Sequence, residues 1–141
     1  MRRVQSLGEI RDMEKVMDQC FPLFERSNEE TLERNLQATQ GDDARCWRFV
    51  AYDRLSQSPL ATAALNLYPE QKLGFMWGGS TIPQARQRGV YSALITARMK
   101  IVQTQGYSRL GLYALRGSSG PIIKRQNFNQ HGPISFWRRD F

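Results

Sequence analysis

The chain predicts one α/β domain: a mixed, mostly antiparallel central sheet with a single βαβ crossover and helices on both faces. Three observations carry this. Amphipathic helical stretches open the chain, strand-like runs joined by short turns follow, and a long helical run then stands between two further strand-like runs. Short turns join antiparallel neighbours, whereas a strand–helix–strand order requires parallel ones. With 141 residues, 40% apolar and 23% charged, the chain suffices for one core, and residues 1–141 read as a single domain.

Taken in order, Ser6 and Glu9 form a capping box, each satisfying backbone donors near the other. Ile10, Met13, Met17, Cys20 and Phe21 then recur at helical spacing until Pro22 stops the run. Ser27 and Glu30 form a second box, opening a shorter helix through Leu32 and Leu36, and the polar loop Gln40 to Asp43 follows. Three strands come next: Cys46 to Tyr52, Leu60 to Tyr68 and Leu73 to Ile82. The Ser56–Pro59 and Pro69–Gln71 turns separate them. Trp47, Phe49 and Trp77 fall at strand spacing and are expected in the core. Gly89 opens a helix whose apolar stripe is Val90, Leu94, Ala97 and Ile101, widened by Tyr91, Ile95 and Val102; Gln105-Gly106 ends it. A strand from Tyr107 to Leu115, a short helix from Gly120 to Gln126 and a last strand from Ile134 to Phe141 complete the pattern.

Several function classes are disfavoured. No apolar run approaches the roughly 18 residues of a membrane span, and the basic start at Met1–Gln5 lacks the apolar stretch of a signal peptide. Cys20 and Cys46 have no metal-ligand spacing, and His131 is the only histidine, so neither a metal site nor a Ser-His-Asp triad is expected. Two lone thiols suit a reducing cytoplasm, the expected location. The net charge of +7 suits a polyanionic partner, whether a phosphorylated cofactor or a nucleic acid. The tail around Trp137, Arg138 and Arg139 fits a nucleic-acid surface or a terminal edge strand equally well.

The most informative segment runs from Gly78 through Thr81, Ile82 and Pro83 to Tyr91. A strand enters a basic loop that leads straight into a helix N-terminus. The first amides of a helix lack intrahelical acceptors and carry partial positive charge, so they cradle anions. Gly89 allows close backbone approach, and Arg86 and Arg88 add full charges. The alternative is a solvated basic turn before an ordinary helix.

Arg86-Gln87-Arg88-Gly89-Val90-Tyr91 resembles the Gln/Arg-x-x-Gly-x-Gly/Ala loop of the GNAT acetyltransferases, with Tyr91 standing where Gly or Ala is usual. Gly120-Pro121-Ile122-Ile123-Lys124-Arg125-Gln126-Asn127-Phe128 resembles their Pro-Ile-Leu-x-Arg-Leu-Gly-Phe segment, with Asn127 in place of Gly. Together with the element order, the resemblance spans nearly the whole chain. It implies a GNAT-like fold in which the parallel strands Leu73–Ile82 and Tyr107–Leu115 splay apart, and an acetyl-CoA-dependent N-acetyltransferase. CoA would be held by Thr81, Ile82, Arg86, Gln87, Arg88, Gly89, Val90 and Tyr91, and by Ser118, Ser119, Ile122 and Arg125. The acceptor would be an amine on a small molecule, peptide or protein, attacking acetyl-CoA directly in a ternary complex without metal.

Gly78-Gly79 lies near the expected splay and reads as a β-bulge or a simple bend. A free backbone N–H between Trp77 and Gly79 would there stabilise the thioester oxyanion. The family's usual tyrosine acid corresponds to Ile123, so proton transfer falls to weaker candidates: Tyr113 as acid, and Glu70, or Glu29 and Glu30, as a base through water. Phe21, Leu23 and Phe24 would form one wall of an acceptor pocket. Two rivals stand beside this reading: a CoA-binding GNAT fold with little catalysis, and a basic nucleic-acid module, against which the loop at the helix start weighs. The apolar last strand invites an isologous homodimer, or else an edge protected by Arg138 and Arg139.

Overall fold

The structure is a computed structural model that describes residues 1–21, 24–41 and 43–135. Its elements are β1 (Arg2–Arg3), α1 (Leu7–Cys20), α2 (Glu29–Gln37), β2 (Cys46–Tyr52), β3 (Pro59–Tyr68), β4 (Leu73–Thr81), α3 (Val90–Thr104), β5 (Arg109–Leu112) and α4 (Ser119–Arg125). The strands form one sheet in the order β1-β2-β3-β4-β5. Every pairing is antiparallel except β4 with β5, which α3 connects as a βαβ crossover.

Local chemistry accounts for the ends of these elements. Ser6 caps α1, its Oγ accepting from the Glu9 amide at 3.3 Å, while the Glu9 carboxylate accepts from the Gln5 amide at 2.7 Å. The second cap is Asn28 rather than Ser27: Asn28 Oδ1 accepts from the Thr31 amide at 3.0 Å. The Ser27 amide donates instead to Glu14 at 3.0 Å, tying the start of α2 to α1. Gly106 takes φ +70° just past α3, as a C-terminal glycine should.

β1 was not anticipated. Its two residues pair with Val50 and Phe49, and both arginines lie on aromatic rings. The Arg3 guanidinium stacks 4.1 Å from the Trp47 ring centre, and that of Arg2 lies 5.3 Å from Tyr52. β5 is shorter than expected, four residues instead of a run from Tyr107 to Leu115. Ile134 and Ser135 are not in a strand, and the rest of the expected last strand, Phe136 to Phe141, lies outside the described residues, as do Pro22 and Leu23.

Strand alternation feeds two cores. Phe49, Ala51, Ala63, Leu65 and Met76 pack with Leu94, Ile95 and Val102 of α3 and Ile123 of α4. On the opposite face Val50 packs with Val4, Ile10 and Leu32, while Ile82 and Ala85 pack with Val16 of α1. Helices therefore cover both faces. Trp77 is a correction: it points away from the Met76 side and is 39% exposed, so it belongs to the surface near the site rather than to the core.

Gly74 sets the approach of α3 to β4. A β-carbon there would overlap Val102 Cγ2 and lie 3.1 Å from Leu110 Cδ1. Gly74→Ala is expected to destabilise the fold by about 1–3 kcal/mol through overpacking, visible as a lower melting temperature in thermal denaturation.

Two irregularities position the site. In β3–β4 pairing, Thr62 faces Ser80 but Ala64 faces Trp77, so Gly78 and Gly79 together oppose Ala63. This is a bulge, not a simple bend, and Gly78 adopts φ +57°, which glycine tolerates without strain. Pairing of β4 with β5 runs from Leu73 with Arg109 to Met76 with Leu112 and stops, while β4 continues to Thr81. The parallel strands part at the bulge.

Candidate active site

Where β4 and β5 part there is a cleft of about 180 Å³, lined from both sides of the sheet. Trp77 to Ser80 form its β4 wall, Leu112 and Tyr113 its β5 wall, and Tyr91, Arg98 and Ser119 come from α3 and α4. Phe21, at the end of α1, closes the other side. Among the described residues the cleft lining contains no Asp or Glu. Because the β4–β5 ladder ends at Met76, the β5-facing backbone of Trp77 to Ser80 borders the cleft and not another strand.

The helix start expected to bind an anion lies at the end of this same β4 strand. After Thr81, the turn Pro83–Ala85 leads to Gln87 at φ +60° and Gly89 at φ +76°, two left-handed residues that bend the chain into α3. The Ala93 amide makes the first helical bond, to Gly89 at 2.9 Å. The amides of Val90, Tyr91 and Ser92 therefore precede the ladder, and no side chain caps the helix. Nothing lies within 4 Å of where a Gly89 side chain would begin, so the surface above these amides is open.

The other expected ligands are distributed around this loop. Arg86 Nε donates to the Thr81 carbonyl at 3.2 Å, bracing the turn. Arg88 is exposed, with Asp53 at 4.0 Å. Two backbone amides, of Ser56 and Leu55, bonded to the Asp53 carboxylate hold it below the ordinary carboxylate range, and Arg88 adds to the effect. Ile82 is buried against Val16, so only its backbone can meet a ligand. Ser118 is the exposed N-cap of α4, and Ser119 Oγ accepts from the Leu115 amide at 2.9 Å at the cleft wall. Ile122 is half-buried against the core, and Arg125 is exposed in the last turn of α4.

Tyr91 fills the space that the bulge provides. A β-carbon on Gly79 would lie 2.8 Å from Tyr91 Cε2. Tyr91, which stands where the resemblance implies Gly or Ala, thus has a glycine beneath its ring. Burial pushes the Tyr91 hydroxyl above its usual value, opposed by the charge of Arg98 and by Ser119, so it is a neutral donor at physiological pH.

The catalytic candidates separate. Tyr113 stands at the cleft, 63% exposed and edge-on to Phe75 at 5.1 Å. Glu70 does not: it precedes the far end of β4 and is paired with Arg45 at 2.9 Å. The four steps along the strand from Leu73 to Trp77 alone span roughly 13 Å. Glu29 pairs with Arg11 at the start of α2. Ile123 is buried in the α3-side core, which explains its apolar character. Of the acceptor wall, Phe21 lines the cleft, Phe24 is half-buried without lining it, and Leu23 is outside the described residues.

Arg98 was missed. It falls four residues after Leu94 and four before Val102, on the stripe that faces the sheet, and is 1% exposed. Its position on that stripe was the available signal. Among the described residues there is no cluster of ligands for a metal ion and no helix long and apolar enough to cross a membrane.

No family model matches the chain, and no curated protein matches it significantly. Solved structures do, closely in shape and distantly in sequence. A Trypanosoma brucei acetyltransferase is 16% identical with a TM-score of 0.80, covering 99% of this chain and 97% of its own. Glucosamine-6-phosphate N-acetyltransferase from Arabidopsis thaliana is 11% identical with a TM-score of 0.81, covering 99% and 97%. An aminoglycoside N-acetyltransferase in complex with CoA is 18% identical with a TM-score of 0.74, covering 98% and 92%.

Proposed function

We propose that this chain, whose fold is that of the GNAT acetyltransferases, transfers acetyl from acetyl-CoA to an amine by direct attack in a ternary complex. The observation that carries the reading is the junction at one end of β4: an uncapped helix start with left-handed Gly89, adjoining a cleft between parting parallel strands. The fit to the donor follows from its chemistry. A pyrophosphate needs convergent N–H donors and positive charge, which Val90 to Ser92, Arg86 and Arg88 supply. An extended amide-bearing arm needs an unpaired strand edge, which β4 offers beyond Met76.

In this reading the thioester enters the cleft from the α3 side and the amine from the side of Phe21 and Trp77. A backbone N–H of Trp77 to Gly79 polarises the thioester carbonyl. The protein's contribution is chiefly to hold the two reactants in contact. Tyr113 remains the solvent-facing candidate acid, whereas Glu70 lies too far from the cleft to act as base. With no Asp or Glu among the described residues of the cleft lining, the acceptor loses its proton to water in this reading. The cytoplasm is the location that suits the free thiols.

The test has two parts. Calorimetry with CoA should give one site per chain, and CoA at about 100 times its dissociation constant should stabilise the fold by about 2.7 kcal/mol. A screen of acetyl-CoA consumption over amines, polyamines, amino acids and peptides should then find an acceptor. Its rate should rise with pH towards the amine's own pKa. The buried Ile123, in place of the family's tyrosine, favours a second reading: a CoA-binding protein without transfer. Binding with no acceptor found would support that reading; no binding of CoA would sink both.

A further inference from the structure

Arg98 is the one full charge at the cleft that the proposed reaction leaves without a task. Its Nε donates to the Leu94 carbonyl and its Nη1 to the Ala64 carbonyl, each at 3.0 Å. Nη2 is enclosed and has no partner among the described residues, and Arg98 takes part in none of their ion pairs. Ala64 lies beside the bulge, so the Nη1 bond has a structural reason: it satisfies a carbonyl on the irregular stretch of the sheet. A neutral glutamine could do that at a smaller desolvation cost. Among the described residues nothing structural accounts for this cation, enclosed at the wall of a cleft whose described lining holds no carboxylate.

Burial pushes the guanidinium down to about 10, so Arg98 still carries its charge at neutral pH. In a low-dielectric wall such a charge acts over several ångströms without direct contact. The titratable groups facing the cleft besides Arg98 are Tyr91 from α3 and Tyr113 after β5. The β4 wall contributes none, α4 presents only Ser119, and Cys20 at the end of α1 lies against Arg86 and Thr81.

We propose that the unpaired guanidinium of Arg98 holds the CoA sulfur in the cleft as a thiolate, so that the leaving group departs as an anion without an acid. This deepens the acyltransferase reading and rests on it. The neutral amine nitrogen attacks the thioester carbonyl carbon and forms the C–N bond. The tetrahedral adduct then collapses, the C–S bond breaks and its electron pair goes to sulfur, while the extra proton on nitrogen passes to water. The thiolate is protonated only in solvent. Ile123 can then be a core residue, because no proton donor is required at α4. Arg98 acts through its field, not through a bond to the reacting atoms, and is a positioning residue in that sense.

The experiment compares CoA with S-methyl-CoA, which cannot ionise, by calorimetry between about pH 6 and about pH 9, spanning the ordinary thiol range. A thiol whose pKa is lower in the complex than in solution binds more tightly as pH rises through the bound value. The gain levels off above the free value. In the unmodified protein the ratio of CoA to S-methyl-CoA affinity should rise about tenfold, corresponding to about one pKa unit. Arg98→Met should leave the ratio flat, and Arg98→Lys, which keeps the charge, should restore most of the rise. A flat ratio in the unmodified protein, or a rise that survives Arg98→Met, would overturn the proposal. Should Arg98→Met fail to fold, a flat ratio in the unmodified protein still overturns the proposal, and Arg98→Gln takes the place of Arg98→Met in assigning a rise to the charge. Failure of the underlying reading looks different: neither ligand binds.

Discussion

Gly89→Asp is expected to weaken CoA binding by at least about 100-fold while leaving the protein folded. The effect is electrostatic, because a carboxylate at about 4 Å from a phosphate costs about 4 kcal/mol at the effective dielectric of a protein surface. Steric exclusion plays no part, since space is open around the position where the new side chain would begin. The backbone penalty is small as well. Gly89 has φ +76°, and Asp is among the residues that enter the left-handed region at a cost of about 1 kcal/mol. Gly89→Ala isolates that cost, carrying the backbone strain without the charge, and should bind CoA within about tenfold of the unmodified protein. Calorimetry on both variants, with thermal melts to confirm folding, separates the terms. Unchanged affinity in Gly89→Asp would remove the loop from the phosphate site.

Gly79→Val should reduce acetyl transfer by at least about 100-fold, the scale expected when reacting groups are displaced by about 1 Å. The first added carbon already meets the Tyr91 ring at 2.8 Å, and the valine branches would drive the ring into the cleft. The loop at Gly89 is untouched, so CoA affinity should fall much less than the rate. Combining Gly79→Ala with Tyr91→Leu offers a check. If the ring is the obstacle, the double variant recovers more activity than Gly79→Ala alone, and a double-mutant cycle shows coupling. Additive losses would mean that the bulge glycine serves another purpose.

The legible parts of this fold were those encoded over short stretches of chain. The α3 stripe and Gly106 at its end follow from neighbouring residues, and Asn127, standing where the resemblance implies Gly, has φ +60°. The start of α3 directly after Gly89 was legible for the same reason. What escaped depends on distant partners. Arg2 and Arg3 form a strand only because β2 offers an edge, and no alternation of their own could announce it. Trp77 shares strand spacing with core positions, but a period of two does not reveal which face is covered. Arg98 sat on the buried stripe of α3, where a charge reads as an interruption unless its carbonyl partner on β3 is known. The splay was expected from the resemblance, with Gly78-Gly79 as its local mark, but the residue at which β5 leaves β4, Leu112 opposite Met76, is a tertiary detail.

The bulge also changes the phase of β4. Met76 faces α3, and in a regular strand Ser80, four residues on, would face it too. Instead Ser80 Oγ reaches Met17 Sδ of α1 at 3.4 Å, Gly79 meets Tyr91 of α3, and Ile82 joins the α1-side core. One added residue has inverted the parity of everything beyond it. The strand thus addresses its even-numbered side chains to one helical layer before the bulge and to the other after it. Deleting Gly78 would straighten β4 and leave Met76 and Ile82 on the layers they occupy now, because Ala64 opposite Trp77 and Thr62 opposite Ser80 would remain in register across a single residue, Gly79.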